Sequence, residues 1–265
     1  MRGATGSGQP TAGARLPGFD SPFILLALTG TFLLGGFIKG AIGVGLPTVA
    51  MGLLGVVMAP AQAAALIVVP ALATNFWQLG AGPSFFSLLR RLWVMLAGVC
   101  IGTWAGVGFL TSGSAERTTF ALGVVLALYG CLGFATVRFR VPPRAERWLS
   151  PIVGVATGFL TGATGVFVIP AIPYIQALGL EKEELVQALA LSPTVSALAL
   201  GLSLFGGGVL GPALALASLL AVVPALAGMY IGQRLRRRSS AEAFRRTFFF
   251  GLIVLGVYLA VRNIA

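Results

Sequence analysis

Gly36-Phe37-Ile38-Lys39-Gly40-Ala41-Ile42-Gly43-Val44 recurs as Gly158-Phe159-Leu160-Thr161-Gly162-Ala163-Thr164-Gly165-Val166, and six of the nine positions are identical. Self-similarity at a long period determines how many structural units a chain contains, so it comes before any reading of single elements. The echo extends outward from the motif. Pro70 answers Pro193 inside an Ala/Leu-rich run, Gly102-x-x-x-Gly106 answers Gly228-x-x-x-Gly232, and Ser114-Ala115-Glu116 answers Ser240-Ala241-Glu242. Offsets of 122, 123 and 126 residues describe one duplication of nearly half the chain.

The solvent for which this sequence is written is a lipid bilayer. Of 265 residues 57% are hydrophobic and 9% charged, against roughly 25% charged in a soluble domain, and the mean hydropathy is +0.95. Segments without Asp, Glu, Lys or Arg run over 40–89, 92–115, 118–137, 148–180, 185–233 and 247–261. A spanning helix needs about 20 apolar residues. The expectation is an all-α polytopic membrane protein of two homologous halves. Each half has a broken or re-entrant hairpin (22–58 and 150–179) followed by three spanning helices, at 61–81, 92–111 and 118–137, then 185–207, 211–233 and 247–263. Residues 1–20, rich in Gly, Ala and Pro, read as a disordered tail. The following apolar stretch is too long, and too quickly followed by others, for a cleaved signal peptide. The first repeat is placed at 21–137, an Arg-rich linker at 138–149 and the second repeat at 150–265.

Net charge +11 does not indicate a nucleic-acid partner, because the basic residues lie in short runs between apolar segments. The positive-inside rule puts Arg90 and Arg91, the linker with Arg138, Arg140, Arg144 and Arg147, and Arg234–Arg238 with Arg245 and Arg246 on the cytoplasmic side. The repeat counterparts of these loops are poor in charge, as they would be if the two halves were oppositely oriented. Inverted halves require each broken region to enter and leave on the same side. Eight complete spans with parallel halves would place the linker or the later Arg run on the wrong face.

Non-helical backbone at membrane depth is tolerated only where protein or a water-filled cavity satisfies it. The breaks at Gly40, Gly43, Gly45 and Pro47, and at Gly162, Gly165 and Pro170, are therefore candidate substrate sites, where helix N-termini can face an anion. Lys39 is the one charged residue well inside an apolar region, and such a group is a functional hypothesis with an anion as its partner; snorkelling to an interface is the alternative, left open. Neutral donors gather nearby: Thr48, then Thr74, Asn75, Trp77 and Gln78. In the second half the corresponding polar residues are Thr161, Thr164, Gln176, Gln187, Ser192, Thr194 and Ser196. Each Thr or Ser can either replace water around an oxyanion or bond its own helix. Gly102/Gly106 and Gly228/Gly232 read as close helix packing, internal or at a homodimer contact.

The chain has no His, and all seven acidic residues fall in tails, loops or helix ends. A carboxylate proton relay is therefore not expected, and neither is ATP-driven chemistry, since no nucleotide-binding motif is present. Cys100 and Cys131 have no metal-ligand spacing and read as small hydrophobes. No cofactor, metal site or enzyme activity is expected.

The motifs Gly36 to Thr48, Pro60-Ala61-Gln62-Ala63-Ala64-Ala65, Pro70 and Thr74-Asn75-Phe76-Trp77-Gln78 make the chain similar to the TauE/SafE sulfite exporter family, also called the toluene-sulfonate uptake permeases. The resemblance spans residues 22–263. Many relatives carry a longer glycine run where Val44 and Leu46 stand here. The resemblance implies transport of a small organic or sulfur-containing anion, such as sulfite, a sulfonate or sulfoacetate, across a bacterial inner membrane, usually outward. Set beside the residue reading, it puts Lys39 in the role of the charge, with Asn75, Gln78, Thr48 and Thr164 as hydrogen-bond donors. Uptake of a small carboxylate or sulfonate is the alternative direction. A membrane enzyme subunit or an anchoring protein is the alternative class; the former lacks the expected His, paired carboxylates or metal ligands.

Overall fold

The computed structural model describes residues 22–80, 82–134, 140–236 and 241–262. They form eleven α-helices and no strands: α1 Pro22–Ile42, α2 Leu46–Val57, α3 Pro60–Leu79, α4 Phe85–Ser112, α5 Ala115–Phe134, α6 Pro143–Thr164, α7 Ala171–Ala177, α8 Lys182–Gly206, α9 Pro212–Leu220, α10 Val222–Arg236 and α11 Ala241–Val261. Seven spans are long and apolar enough to cross a membrane: α1, α3, α4, α5, α8, the combined α9–α10 and α11. The 1–20 tail, Arg138 of the linker, and Arg237 and Arg238 lie outside the described residues.

Several helix starts carry proline where a missing N–H costs nothing: Pro47 in α2, Pro60 opening α3, Pro143 opening α6 and Pro212 opening α9. The expected broken regions are each a long helix followed by a short one that turns back. Gly43 and Gly45, at φ +98° and +120°, let the chain reverse between α1 and α2, a conformation L-residues with a Cβ rarely adopt. Two expected boundaries shift. The second half of the linker is already the first turns of α6. The expected span 211–233 is interrupted at Ala221, because Pro224 has no N–H to offer Leu220.

The two halves are interlocked. α1 lies along α10, so that a Cβ at Gly36 or Gly40 would overlap the carbonyls of Ala225 or Met229, and one at Gly228 or Gly232 those of Leu33 or Phe37. α6 lies along α4 in the same manner: Gly154, Gly158 and Gly162 rest on the carbonyls of Met95, Val99 and Thr103, and Gly98, Gly102 and Gly106 rest on those of Pro151, Val155 and Phe159. In both crossings the helices run parallel. Small residues allow this backbone approach, and in lipid the resulting packing replaces the missing hydrophobic drive. The Gly102 and Gly228 faces are thus filled within the chain, and a homodimer would use other surfaces.

Helices that correspond in the duplication meet each other antiparallel. Gln187 of α8 donates to the carbonyl of Leu79 near the end of α3 at 2.7 Å, while Gly201, a few turns on, lies against Val68. Gly123 and Gly256 bring α5 and α11 together, and Gly130 faces Phe249. Inside α3, Pro70 leaves the Leu66 carbonyl without its helical donor, and the Ser218 hydroxyl of α9 supplies one at 2.8 Å. This is how a mid-membrane proline is accommodated.

One end of the bundle gathers the arginines. Arg91 makes a two-pronged pair with Glu146, both contacts at 2.9 Å, joining the start of α4 to the start of α6. The Val141 N–H donates to Ala177, and Arg245 donates to the Gly133 carbonyl at 2.6 Å. The opposite end holds the α2–α3 and α4–α5 junctions, with Arg262 donating to Val56.

The glycine crossings predict opposite outcomes for two substitutions. Gly158→Leu drives a side chain into the backbone of α4 and should destabilise the detergent-solubilised protein by at least the about 1–3 kcal/mol of an overpacked core, read as a lowered thermal midpoint. Gly108→Ala, with nothing within 4 Å of the new methyl, should leave it unchanged or raise it, since an interior helical glycine costs about 0.5–1 kcal/mol relative to alanine. An unshifted midpoint in Gly158→Leu would mean that this crossing is not formed.

Candidate functional site

Lys39 lies in the last turn of α1 and is 3% exposed. It does not snorkel. Its ammonium turns inward to α3, donating to the Thr74 hydroxyl at 3.0 Å and to the Asn75 side-chain carbonyl. Thr74 can receive it because its own hydroxyl proton is committed to the Pro70 carbonyl, 2.8 Å away. Both partners are neutral, and among the described residues no carboxylate stands within ion-pair distance of Lys39. The C-terminal end of α1 contributes a partial negative charge, which does not cancel a full positive one.

The ammonium fixes its neighbours. An ammonium only donates, so the Asn75 oxygen must face Lys39 and the Asn75 amide nitrogen must face away, where it has no partner. Gln78, one turn further along α3, donates to the Gly43 carbonyl at 3.0 Å and the Val186 carbonyl at 3.3 Å. Its own oxygen is left unpartnered. Gln78 thereby ties the first break to α8.

α2 folds back along α1 with Leu46 against Gly35 and Gly45 against Ile38. The first turn of α2 is therefore level with the turn that carries Lys39. Its first intrahelical bond runs from the Val49 N–H to the Gly45 carbonyl, so the N–H groups of Leu46 and Thr48 precede the ladder. Thr48 is fully buried, and its hydroxyl has no partner.

In α8, Ser192 and Ser196 are also fully buried with unpartnered hydroxyls. They lie one turn apart on one helix face. The antiparallel register set by Gln187 with Leu79 and by Gly201 with Val68 brings this face to the level of the Thr74–Asn75 turn. The five orphaned buried side chains, Thr48, Asn75, Gln78, Ser192 and Ser196, come from α2, α3 and α8. Folded proteins leave few such groups.

The other expected site residues are placed differently. Thr161 donates to Val166 across the second break, while Thr164 and Thr194 donate to Leu160 and Ala190 in their own helices. Gly40 and Gly162 lie in the α1–α10 and α6–α4 crossings. Gly165, at φ +72°, ends α6 with its N–H on the Thr161 carbonyl and lies against Met51 of α2. Trp77 is 59% exposed on the outside of α3. Gln176 lines a cavity at the arginine-rich end, and Gln187 holds the α3–α4 loop by accepting from the Ser84 N–H at 2.9 Å and donating to Gly82.

Seven apolar spans packed around a buried lysine and a set of unpartnered polar side chains make this a multi-pass membrane protein with a polar site at depth. The chain belongs to the sulfite exporter TauE/SafE family, whose model matches residues 28–259. Among curated proteins and among solved structures, nothing matches it.

The orphaned hydroxyls yield a stability signature. A buried polar atom without a partner costs about 1–3 kcal/mol, so Thr48→Val and Ser196→Ala should hold or raise the thermal midpoint. A clear fall in either variant would show that the hydroxyl is bonded in the resting protein.

Proposed function

We propose that this protein is a secondary transporter that moves a small sulfur-containing or organic anion of the sulfite, sulfonate or sulfoacetate type outward across a bacterial inner membrane. The observation that carries this reading is Lys39, a buried cation held by two neutral oxygens. Burying an unpaired charge is expensive, so the site is most stable when an anion enters. Asn75, Thr48 and the first-turn N–H groups of α2 supply donors, and oxyanions accept hydrogen bonds from such groups without competition from water.

The arrangement of the halves supports transport. Corresponding helices run antiparallel, α3 against α8 and α5 against α11, which favours the reading of the halves as inverted repeats with the substrate site near their interface. On this reading the arginine-rich end faces the cytoplasm. Export then needs no coupling carboxylate, because an anion leaving a negative interior gains about 2.3 kcal/mol per charge per 100 mV.

Purified protein in proteoliposomes under an imposed potential, offered sulfite, sulfoacetate, taurine and short carboxylates, tests the proposal. Saturable flux of a sulfur anion is expected. Lys39→Met, which keeps the stem and removes the charge, should lower that flux at least about tenfold, the lower end of what one charge-assisted hydrogen bond contributes. Equal flux in the folded variant would remove Lys39 from the site.

A further inference from the structure

A cavity of about 430 Å³ opens at the arginine-rich end. Its walls come from both halves: Tyr129 and Gly133 of α5, Gln176 of α7 and Phe249 of α11. Arg140 and Arg245 stand on its lining. Arg140 is exposed. Arg245 is held over the Phe249 ring, 5.8 Å from its centroid, while donating to the Gly133 carbonyl. Among the described residues that line the cavity, none is a carboxylate.

Two further lining residues, Ile42 and Val44, flank Gly43. The carbonyl of Gly43 is the acceptor that Gln78 holds, and the Gly43 N–H bonds the Lys39 carbonyl at 2.7 Å. One short stretch of backbone therefore lines the cavity through Ile42 and Val44 and meets the buried cluster through the polar groups of Gly43. Gly43 and Gly45, both at positive φ, alternate with the apolar Ile42 and Val44 along that stretch.

We propose that this cavity is a second anion site, an antechamber in which Arg140 and Arg245 collect the sulfur oxyanion before it passes the Gly43–Gly45 break to Lys39. This rests on the transporter reading above and adds the route and the residues that serve it. Guanidinium groups suit a tetrahedral or pyramidal oxyanion because their fork of donors can grip two of its oxygens. Cation-lined, low-dielectric clefts also raise the local concentration of an anion. Ile42 and Val44 form the apolar seal, and the Gln78 bond to Gly43 keeps it closed between passages.

The antechamber affects only one side of the membrane, and that makes it testable. In vesicles of defined orientation, Arg140→Gln with Arg245→Gln should raise the apparent KM about tenfold for sulfite presented at the arginine-rich face, flatten its salt dependence, and leave the KM at the opposite face alone. Arg245→Lys in place of Arg245→Gln keeps the charge and should recover part of the loss, whereas misfolding of the Arg245→Gln variant would lower flux from both faces. Binding separates this proposal from the transport reading. Lys39→Met, its inner site disabled, should still bind sulfite weakly by calorimetry, and the added Arg140→Gln and Arg245→Gln substitutions should abolish that signal. A KM raised equally at both faces, an unchanged KM, or no residual binding in Lys39→Met would each overturn the antechamber, the last two with the Lys39 site left standing.

Discussion

Everything in this molecule depends on backbone lying directly on backbone. In water, two helices are driven together by apolar side chains; in lipid that drive vanishes, and close van der Waals approach must replace it. Here the approach is made twice by the same duplicated element. The motif that begins at Gly36 lays α1 on α10, and its copy beginning at Gly158 lays α6 on α4. Each half therefore grips a span of the other half, and neither grip tolerates a Cβ at its glycines. The rigid frame this creates is what allows α2 and α7, only 12 and 7 residues long, to be held inside the bundle.

That frame also explains how an ammonium survives at depth. Lys39 sits between Gly36 and Gly43, on a helix that the frame fixes by direct backbone contact, and is aimed at the turn of α3 that follows Pro70. Thr74 and Asn75 lie within its reach, and Ser218 supplies a donor to the Leu66 carbonyl that Pro70 leaves without one. The polar atoms left unsatisfied are not scattered. They occur on the three helices around the first break, so the cost of leaving them bare is concentrated where a ligand would remove it.

The features that sequence made legible are those with a period or a charge. The nine-residue repeat announced two halves and both broken regions, and GxxxG spacing announced close packing at Gly102 and Gly228. Lys39 stood out because it interrupts an apolar run. What stayed hidden depends on direction. Trp77 and Gln78 are neighbours, yet one points outward and the other to Gly43, and nothing in an evenly apolar helix marks which face is buried. Thr164 and Ser196 are equally plausible donors until the structure shows one bonded to its own helix and the other bare. The break at Ala221 stayed hidden within the expected span 211–233, because proline is so often absorbed within membrane helices that Pro224 alone does not mark an interruption.

The exchange of partners between halves bears on how the chain is made. α1 is the first described span to emerge, yet its glycine face is matched by α10, which is translated only after α2 to α9. Until then the face meets lipid or a neighbouring helix of the first half, and Lys39 depends on α3 for its hydrogen bonds. α6, by contrast, finds α4 already inserted when it arrives. Assembly is therefore lopsided: the second half docks onto a waiting partner, whereas the first half is held open for a helix not yet translated. A translation product ending before α10 would leave the α1 glycine face without the partner that fills it.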